Sequence, residues 1–309
     1  MEQHSDSQIQ YRVCDDTGDG VIMVYAIRAG IEVAFVEAHM KEMEFGFFER
    51  LSSRPYVEIR YCREGRMEQD TGREFFYLMP GDCLLTVQNP GGHPVHLPLG
   101  HYHGISIGIS TSLPEDGFRT FLRGMKLEPE AVAQSHGAGQ TPVILRAVPA
   151  LRRFFEDIYQ APEEKRENYL RIKLPELLYL LSELPPVSET ACGTVPRNQV
   201  ELSKQVAGYI SSHLREKITL KDLTARYGVS DTYLQTMFRA VYGMPVISFI
   251  RAQKMQQAAQ MLIHTASSVG EIAQIFGYEN ESKFSAAFKR IMGDSPGIYR
   301  KEHTKIRIL

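Results

Sequence analysis

The sequence has little of what marks a secreted, membrane-embedded or zinc-finger protein. Only four of its 309 residues are cysteine: Cys14, Cys62, Cys83 and Cys192. They are scattered, without a C-x-x-C pair or finger spacing, which predicts free thiols in a reducing compartment. No apolar run approaches the roughly 18 residues of a membrane span. The stretch Met1 to Gln10 is polar and acidic, unlike a signal peptide. These absences predict a cytoplasmic protein that does not enter membranes. With 43% apolar and 23% charged residues, disordered and fibrous classes are excluded, and the length suits about two domains, each with its own core.

A net charge of −2 hides an asymmetry. Residues 1–196 carry 19 Lys and Arg against 28 Asp and Glu, whereas residues 197–309 carry 16 against 9. A basic segment suits a polyanion, because Lys and Arg that neutralise phosphates release condensed counterions. Charge alone fits an ordinary solvated surface equally well. An internal repeat in the same segment decides between the two.

That repeat is a helix, a tight glycine turn and a second helix, present twice. The first copy runs from Leu223 through Gly228, Val229 and Ser230 to Leu234, Met237, Phe238 and Gly243; the second runs from Ile272 and Ala273 through Gly277 and Tyr278 to Phe284, Phe288 and Gly293. From the turn glycine, Leu234 and Phe284 lie at +6 and +7, Phe238 and Phe288 at +10 and +11, and a basic residue follows each of those phenylalanines. The one-residue offset is confined to the turn. This is a duplicated helix-turn-helix, whose second helix enters the DNA major groove in proteins that use it for recognition.

Local signals place the elements around it. Glu201 to Leu214 reads as an amphipathic helix, Thr219 with Asp222 forms a capping-box pattern, and Ser230 is placed to cap the first recognition helix. Pro245 starts a long helix to about His264, and twenty residues at 1.5 Å span about 30 Å, close to the roughly 34 Å of one DNA turn. The outward face of the first recognition helix offers Thr232, Tyr233, Gln235, Thr236 and Arg239. The second begins at Asn280 or Glu281 and offers Glu281, Ser282, Lys283, Ser285 and Ala286, with Lys289 and Arg290 suited to phosphates. Glutamine can pair bidentately with adenine, and threonine can meet a thymine methyl.

The N-terminal half reads differently. Val21–Ile27, Ile31–Ala38 and Tyr56–Cys62 are strand-like, the last alternating Val57, Ile59 and Tyr61 with Glu58 and Arg60. Asp70 to Arg73 signals a turn before Phe75–Met79, Pro80–Gly81 suits a type II turn before Cys83–Gln88, and His103–Ser110 is one more strand. Short strands with turns about every ten residues predict an antiparallel barrel or sandwich. Glu115–Gly124 is a short helix, Ser135–Pro142 a loop, and Pro149–Tyr159 a helix with proline in its first turn. Glu163–Leu184 is a longer helix whose Leu170, Leu174, Leu177, Leu178, Leu181 and Leu184 form one stripe, with Pro175 expected to kink or restart it. The stripe suits packing on its own barrel and suits pairing with a second subunit. Pro185–Gln199, with three prolines, reads as the linker between domains at 1–184 and 200–309.

Residues 197–302 resemble the DNA-binding domain of the AraC/XylS family of bacterial transcription regulators. The matches are Gly228-Val229-Ser230, Leu234 with Phe238, Gly243, the stretch from Arg251 to Leu262, Ile272-Ala273, Gly277-Tyr278, Phe284 with Phe288-Lys289, and the run from Gly293 to Arg300. Thr224 stands where a small alanine is usual. Thr236 and Ala286 stand where members often carry arginine, leaving more of the readout to Gln235 and Lys283. More distantly, residues 20–110 and the two helices after them resemble the cupin-like sensor domain of such regulators. The resemblance implies an α+β chain: a cupin-like antiparallel barrel with trailing helices, then two helix-turn-helix units joined by a long helix. It also implies double-stranded DNA, a small-molecule effector, a second copy of the chain and the transcription machinery as partners, with no cofactor and no enzymatic activity.

Phe45, Phe47, Tyr56, Tyr61, Phe75 and Tyr77, with His103, are the candidate effector residues, although aromatic residues in such strands more often form core. His93, His96, His101 and His103 form the richest chemical cluster. His101 and His103 share a strand face, so they could hold one divalent ion with His93 or His96. The alternative function is therefore a cupin-type metalloenzyme or metal sensor. Metal cupins also supply an earlier His-x-His, and no histidine lies between Arg54 and Met79.

Overall fold

β-Branched and aromatic alternation makes strands of most of the first 110 residues. The computed structural model describes residues 3–5, 8–48, 51, 55–70, 72, 74–88, 93–139, 142–186 and 194–305. By contacts the chain divides into two units, Met1–Thr194 and Val195–Leu309. Residues 187–193 of the expected linker, Cys192 among them, lie outside the described residues, as do Thr71 and Arg73 of one expected turn.

The first unit contains β1 (Gln3–Ser5), β2 (Gln8–Asp15), β3 (Gly18–Arg28), β4 (Ile31–His39), β5 (Glu42–Phe45), β6 (Tyr56–Gly65), β7 (Met67–Asp70), β8 (Glu74–Leu78), β9 (Cys83–Gln88), β10 (His93–His96) and β11 (Tyr102–Ser110). After these come α1 (Gly117–Gly124), α2 (Pro129–Ser135), β12 (Val143–Leu145), α3 (Pro149–Gln160) and α4 (Glu163–Ser182). One antiparallel sheet has the order β1-β2-β3-β4-β11-β6-β9-β12, and within this unit a second runs β8-β7-β10-β5. Among the described residues the large sheet does not close on itself, so the arrangement is two sheets where the cupin-like resemblance implied a barrel. The expected type II turn is present: Gly81 takes φ +89° and Asp82 N donates to Met79 O at 2.9 Å.

Both faces of the large sheet are covered. Ile22, Ala34, Val36, Tyr56 and Leu84 share a core with Met43, Phe45, Phe76 and Val95 of the smaller sheet. Val33, Ile59, Leu85, Ile105 and Ile107 of the opposite face pack on Phe154, Phe155 and Ile158 of α3 and on the leucines of α4. This explains why the polar members of the β6 alternation are not solvated. Glu58 and Arg60 are buried between the sheets, with Arg60 Nη2 2.7 Å from Glu58 Oε1 and its guanidinium 3.9 Å from the Phe45 ring centroid.

Helix α4 runs through Pro175 without restarting, because the proline removes only its own amide bond while the leucine stripe stays docked. Leu170, Leu174, Leu177, Leu178 and Leu181 are buried within their own unit, whereas Ile172 is 73% and Tyr179 49% exposed. Several elements carry no clear pattern in the sequence. Strands β2, β5, β7 and β10 are short or rich in polar residues, and α2 precedes the stretch expected to be loop.

The second unit is helical: α5 (Arg197–Ser212), α6 (Leu220–Tyr227), α7 (Asp231–Tyr242), α8 (Val246–His264), α9 (Val269–Ile275), α10 (Glu281–Met292) and α11 (Pro296–Lys305). Helix α5 begins inside the stretch expected to be linker. Leu223, Leu234, Phe238 and Phe249 are buried around the first repeat, and Leu262, Ile272, Phe276, Phe284 and Phe288 around the second. Each such side chain contributes about 1.5–3 kcal/mol by leaving water, which makes these apolar spacings the main constraint on the domain.

Candidate nucleic-acid interface

Each recognition helix is fixed at its start by a side-chain cap. Ser230 accepts from Tyr233 N at 3.2 Å at the head of α7, and Asn280 accepts from Lys283 N at 2.8 Å at the head of α10. The preceding helices carry full capping boxes, Thr219 with Asp222 on α6 and Ser268 with Glu271 on α9. Between the helices of each pair, Gly228 and Gly277 take φ +66° and +78°, which an L side chain adopts only with strain. Thr224, at the crossing of the first pair, donates its hydroxyl to Lys221 O at 3.2 Å, so the polar group is satisfied within its own helix.

The apolar pairs Leu234 with Phe238 and Phe284 with Phe288 face inward and thereby fix which residues face out. On α7, Thr232, Tyr233, Thr236 and Arg239 are exposed; on α10, Glu281, Ser282, Lys283, Ala286, Lys289 and Arg290 are exposed. Gln235 and Ser285 occupy equivalent positions, one residue after the first buried apolar residue, and both are half-buried on the flank. The Gln235 carbonyl oxygen is shut away from solvent without a hydrogen-bond partner, so in this orientation it does not present the fork expected for adenine. Lys283 lies 3.6 Å from Glu279, an exposed pair worth little, which leaves its ammonium available for other contacts.

Helix α8 joins the two pairs. Its 19 residues span about 28 Å at 1.5 Å each, near one helical turn of DNA. Two residues fasten it by polar contacts that its sequence pattern did not single out. Arg300 of α11 donates to the carbonyl of Leu262 at the C-terminal end of α8 and to that of Ser267 in the connection to α9. Lys254 donates to Glu216 O at 3.3 Å and Phe276 O at 3.1 Å, and burial lowers its pKa from the ordinary lysine value. The only sequence signal for either is a long cation among apolar helix positions.

The candidate effector residues do not share one cavity. Phe45 and Tyr56 belong to the core between the sheets, whereas Tyr61, an odd-numbered neighbour on the same strand as Tyr56, points to the helix side and stacks on Phe155 at 4.4 Å. Strand alternation alone separates them. Tyr77 is buried and donates to Glu68 Oε2 at 2.6 Å; Phe47 and Phe75 are buried too. A groove of about 320 Å³ on the helix side is lined by Tyr61, Arg63, Arg152, Glu156 and Tyr159.

His96, His101 and His103 have separate contacts. His101 Nδ1 lies 3.3 Å from Leu99 O, His96 is 3.1 Å from Glu42, and the His93 side chain lies outside the described residues. His103 instead faces His39, with Nε2 atoms 3.3 Å apart and Glu64 3.6 Å from its Nδ1. Burial and the neighbouring His39 hold His103 below the ordinary histidine pKa. Among the described residues no three metal-ligating side chains come together.

Comparison with known proteins bears on the second unit above all. A family model described as a helix-turn-helix domain matches residues 223–302. The uncharacterized HTH-type transcriptional regulator YdiP of Escherichia coli is 34% identical over 101 residues, which cover 33% of this chain and 33% of that one. The chain therefore aligns with only a third of that relative's length. The MmsAB operon regulatory protein of Pseudomonas aeruginosa is 26% identical over 257 residues, 78% of this chain and 80% of that protein. The DNA-binding domain of AdpA, a global transcriptional factor solved with a target DNA, is 27% identical, covering 34% of this chain and 95% of that one with a TM-score of 0.33. The duplicated, capped helix-turn-helix on its joining helix, together with the family model and these relatives, marks the second unit as a helix-turn-helix DNA-binding domain of the AraC type.

Proposed function

We propose that this protein is a sequence-specific regulator that reads two DNA segments about one turn apart with α7 and α10, under control of a small molecule sensed by the first unit. The observation that carries the reading is the pair of capped recognition helices with exposed faces at the two ends of α8. Thr232, Tyr233, Thr236, Ser282 and Lys283 supply base-edge contacts, Gln235 and Ser285 contribute at the flanks, and Arg239, Lys289 and Arg290 meet phosphates. Glu281 suits a cytosine amino group.

Control by a small molecule is supported by buried polar atoms between the sheets. Glu58 Oε2 and Ser106 Oγ lie in the core without hydrogen-bond partners, each costing about 1–3 kcal/mol. A ligand with hydrogen-bond donors would satisfy them and bias the conformation that holds it more tightly. Ile172 and Tyr179, seven residues apart on the outer side of α4, offer an apolar seam for a second copy of the chain. DNA binding in the cytoplasm, in contact with the transcription machinery, completes the reading.

Genome-wide occupancy of the tagged protein tests it, in two growth media and for the wild type and Ser106→Ala. Sharp peaks with a two-part motif, medium-dependent in the wild type and medium-independent in the variant, are expected. Absence of enriched sites in every medium would contradict sequence-specific regulation.

A further inference from the structure

Reading two segments at once requires more than two recognition helices; their separation has to be fixed. Apolar contacts fasten each pair to α8 separately. Near the N-terminal end of α8, Phe249 meets Phe238 and Tyr242 at ring-centroid distances of 5.1 and 4.7 Å. Helix α8 also touches α9, α10 and α11, the last near its C-terminal end through Arg300 and Leu262. Lys254 lies near the middle of the helix, and its one ammonium reaches both sides. One carbonyl, of Glu216, belongs to the connection that leads from α5 into the first helix-turn-helix. The other, of Phe276, caps α9 at the turn of the second.

The chemistry of that contact is unusual for a surface lysine. The ammonium is drawn partly out of water, and burial lowers its pKa with no neighbouring carboxylate to offset the loss among the described residues. Its partners are backbone carbonyls, one of them at a helix C-terminus where the helix dipole favours a cation. Two backbone segments from different halves of the domain are thereby held to a single nitrogen, and a shift of either half along α8 breaks at least one of the two bonds.

We infer that Lys254 is a positioning residue that sets the spacing between the two recognition helices, and hence the distance between DNA half-sites that the protein accepts. The inference rests on the DNA-reading role proposed above. Inserting one base pair between half-sites displaces the second by about 3.4 Å and turns it by about 34°. A domain held rigidly at Lys254 rejects that displacement; one held only by its separate apolar contacts accommodates it.

The test uses the full chain and a two-part duplex selected by the wild type from random DNA. Companion duplexes carry one base pair inserted between the parts, or only one part. The wild type should lose about tenfold or more in affinity on insertion. Lys254→Met should bind the one-part duplex as the wild type does, bind the two-part duplex about tenfold more weakly, and separate the two spacings by less than about twofold. Lys254→Arg, which keeps forked donors, should restore discrimination. An unchanged spacing penalty in Lys254→Met would overturn the inference, as would equal losses on one-part and two-part duplexes, which mark a purely structural role. If thermal melting shows that Lys254→Met does not fold, Lys254→Gln carries the same comparison. Failure of the wild type to select any two-part duplex would remove the DNA-reading role, and this inference with it, before any variant is compared.

Discussion

Tyr233 and Arg239 share the outward side of α7 but stand at different distances from its start, and so meet DNA differently. Tyr233 lies in the first turn, 38% exposed, where recognition helices reach base edges. Arg239 lies in the last turn and is the basic residue that follows the buried Phe238. Tyr233→Ala should cost roughly 1–3 kcal/mol and relax one base position, whereas Arg239→Ala should weaken all sequences alike and reduce the salt slope by about one. Binding to a set of single-base variants at several salt concentrations separates the two outcomes. Residue-level chemistry was legible in the sequence where it depends on near neighbours. The caps Thr219, Ser230 and Asn280 follow from local spacing, whereas Gln235 does not: periodicity gave its position on the helix, and the depth of the flank it lies against decides its exposure. The His39 contact of His103 spans 64 residues and had no local signal.

At the scale of elements, α6 and α9 depend on reciprocal caps that also set an acid limit. Hydrogen bonds from the Thr219 hydroxyl and backbone hold Asp222 below the ordinary aspartate pKa, and those from the Ser268 backbone and hydroxyl do the same for Glu271. Both groups favour the folded state once ionised. Their contribution is therefore present above the unfolded values of 3.8 and 4.5 and is lost as pH falls through the depressed folded values. Asp222→Asn with Glu271→Gln should flatten the fall in melting temperature between about pH 5 and pH 2. An acid dependence identical to wild type would place the titrating groups elsewhere. The helices themselves were readable because capping, glycine turns and apolar spacing agree. Short strands such as Glu42–Phe45 were not, since their alternation is as brief as a turn and their pairing partners are distant in sequence.

For the whole molecule, the arrangement follows from two kinds of core. In the first unit, sheets covered on both faces bury Glu58, Arg60 and Ser106 where alternation alone predicts solvent, and this long-range covering has no local signal in the sequence. In the second unit a duplicated motif repeats one core on either half of α8, which is why its organisation was visible from spacing alone. The measurement that tests the account most directly is a hydroxyl-radical footprint of the full chain on a site it occupies in its host. Two protected patches on one face of the duplex, centred about 10 base pairs apart, are predicted. A single patch, or protection independent of sequence, would contradict the claim that α7 and α10 read DNA together.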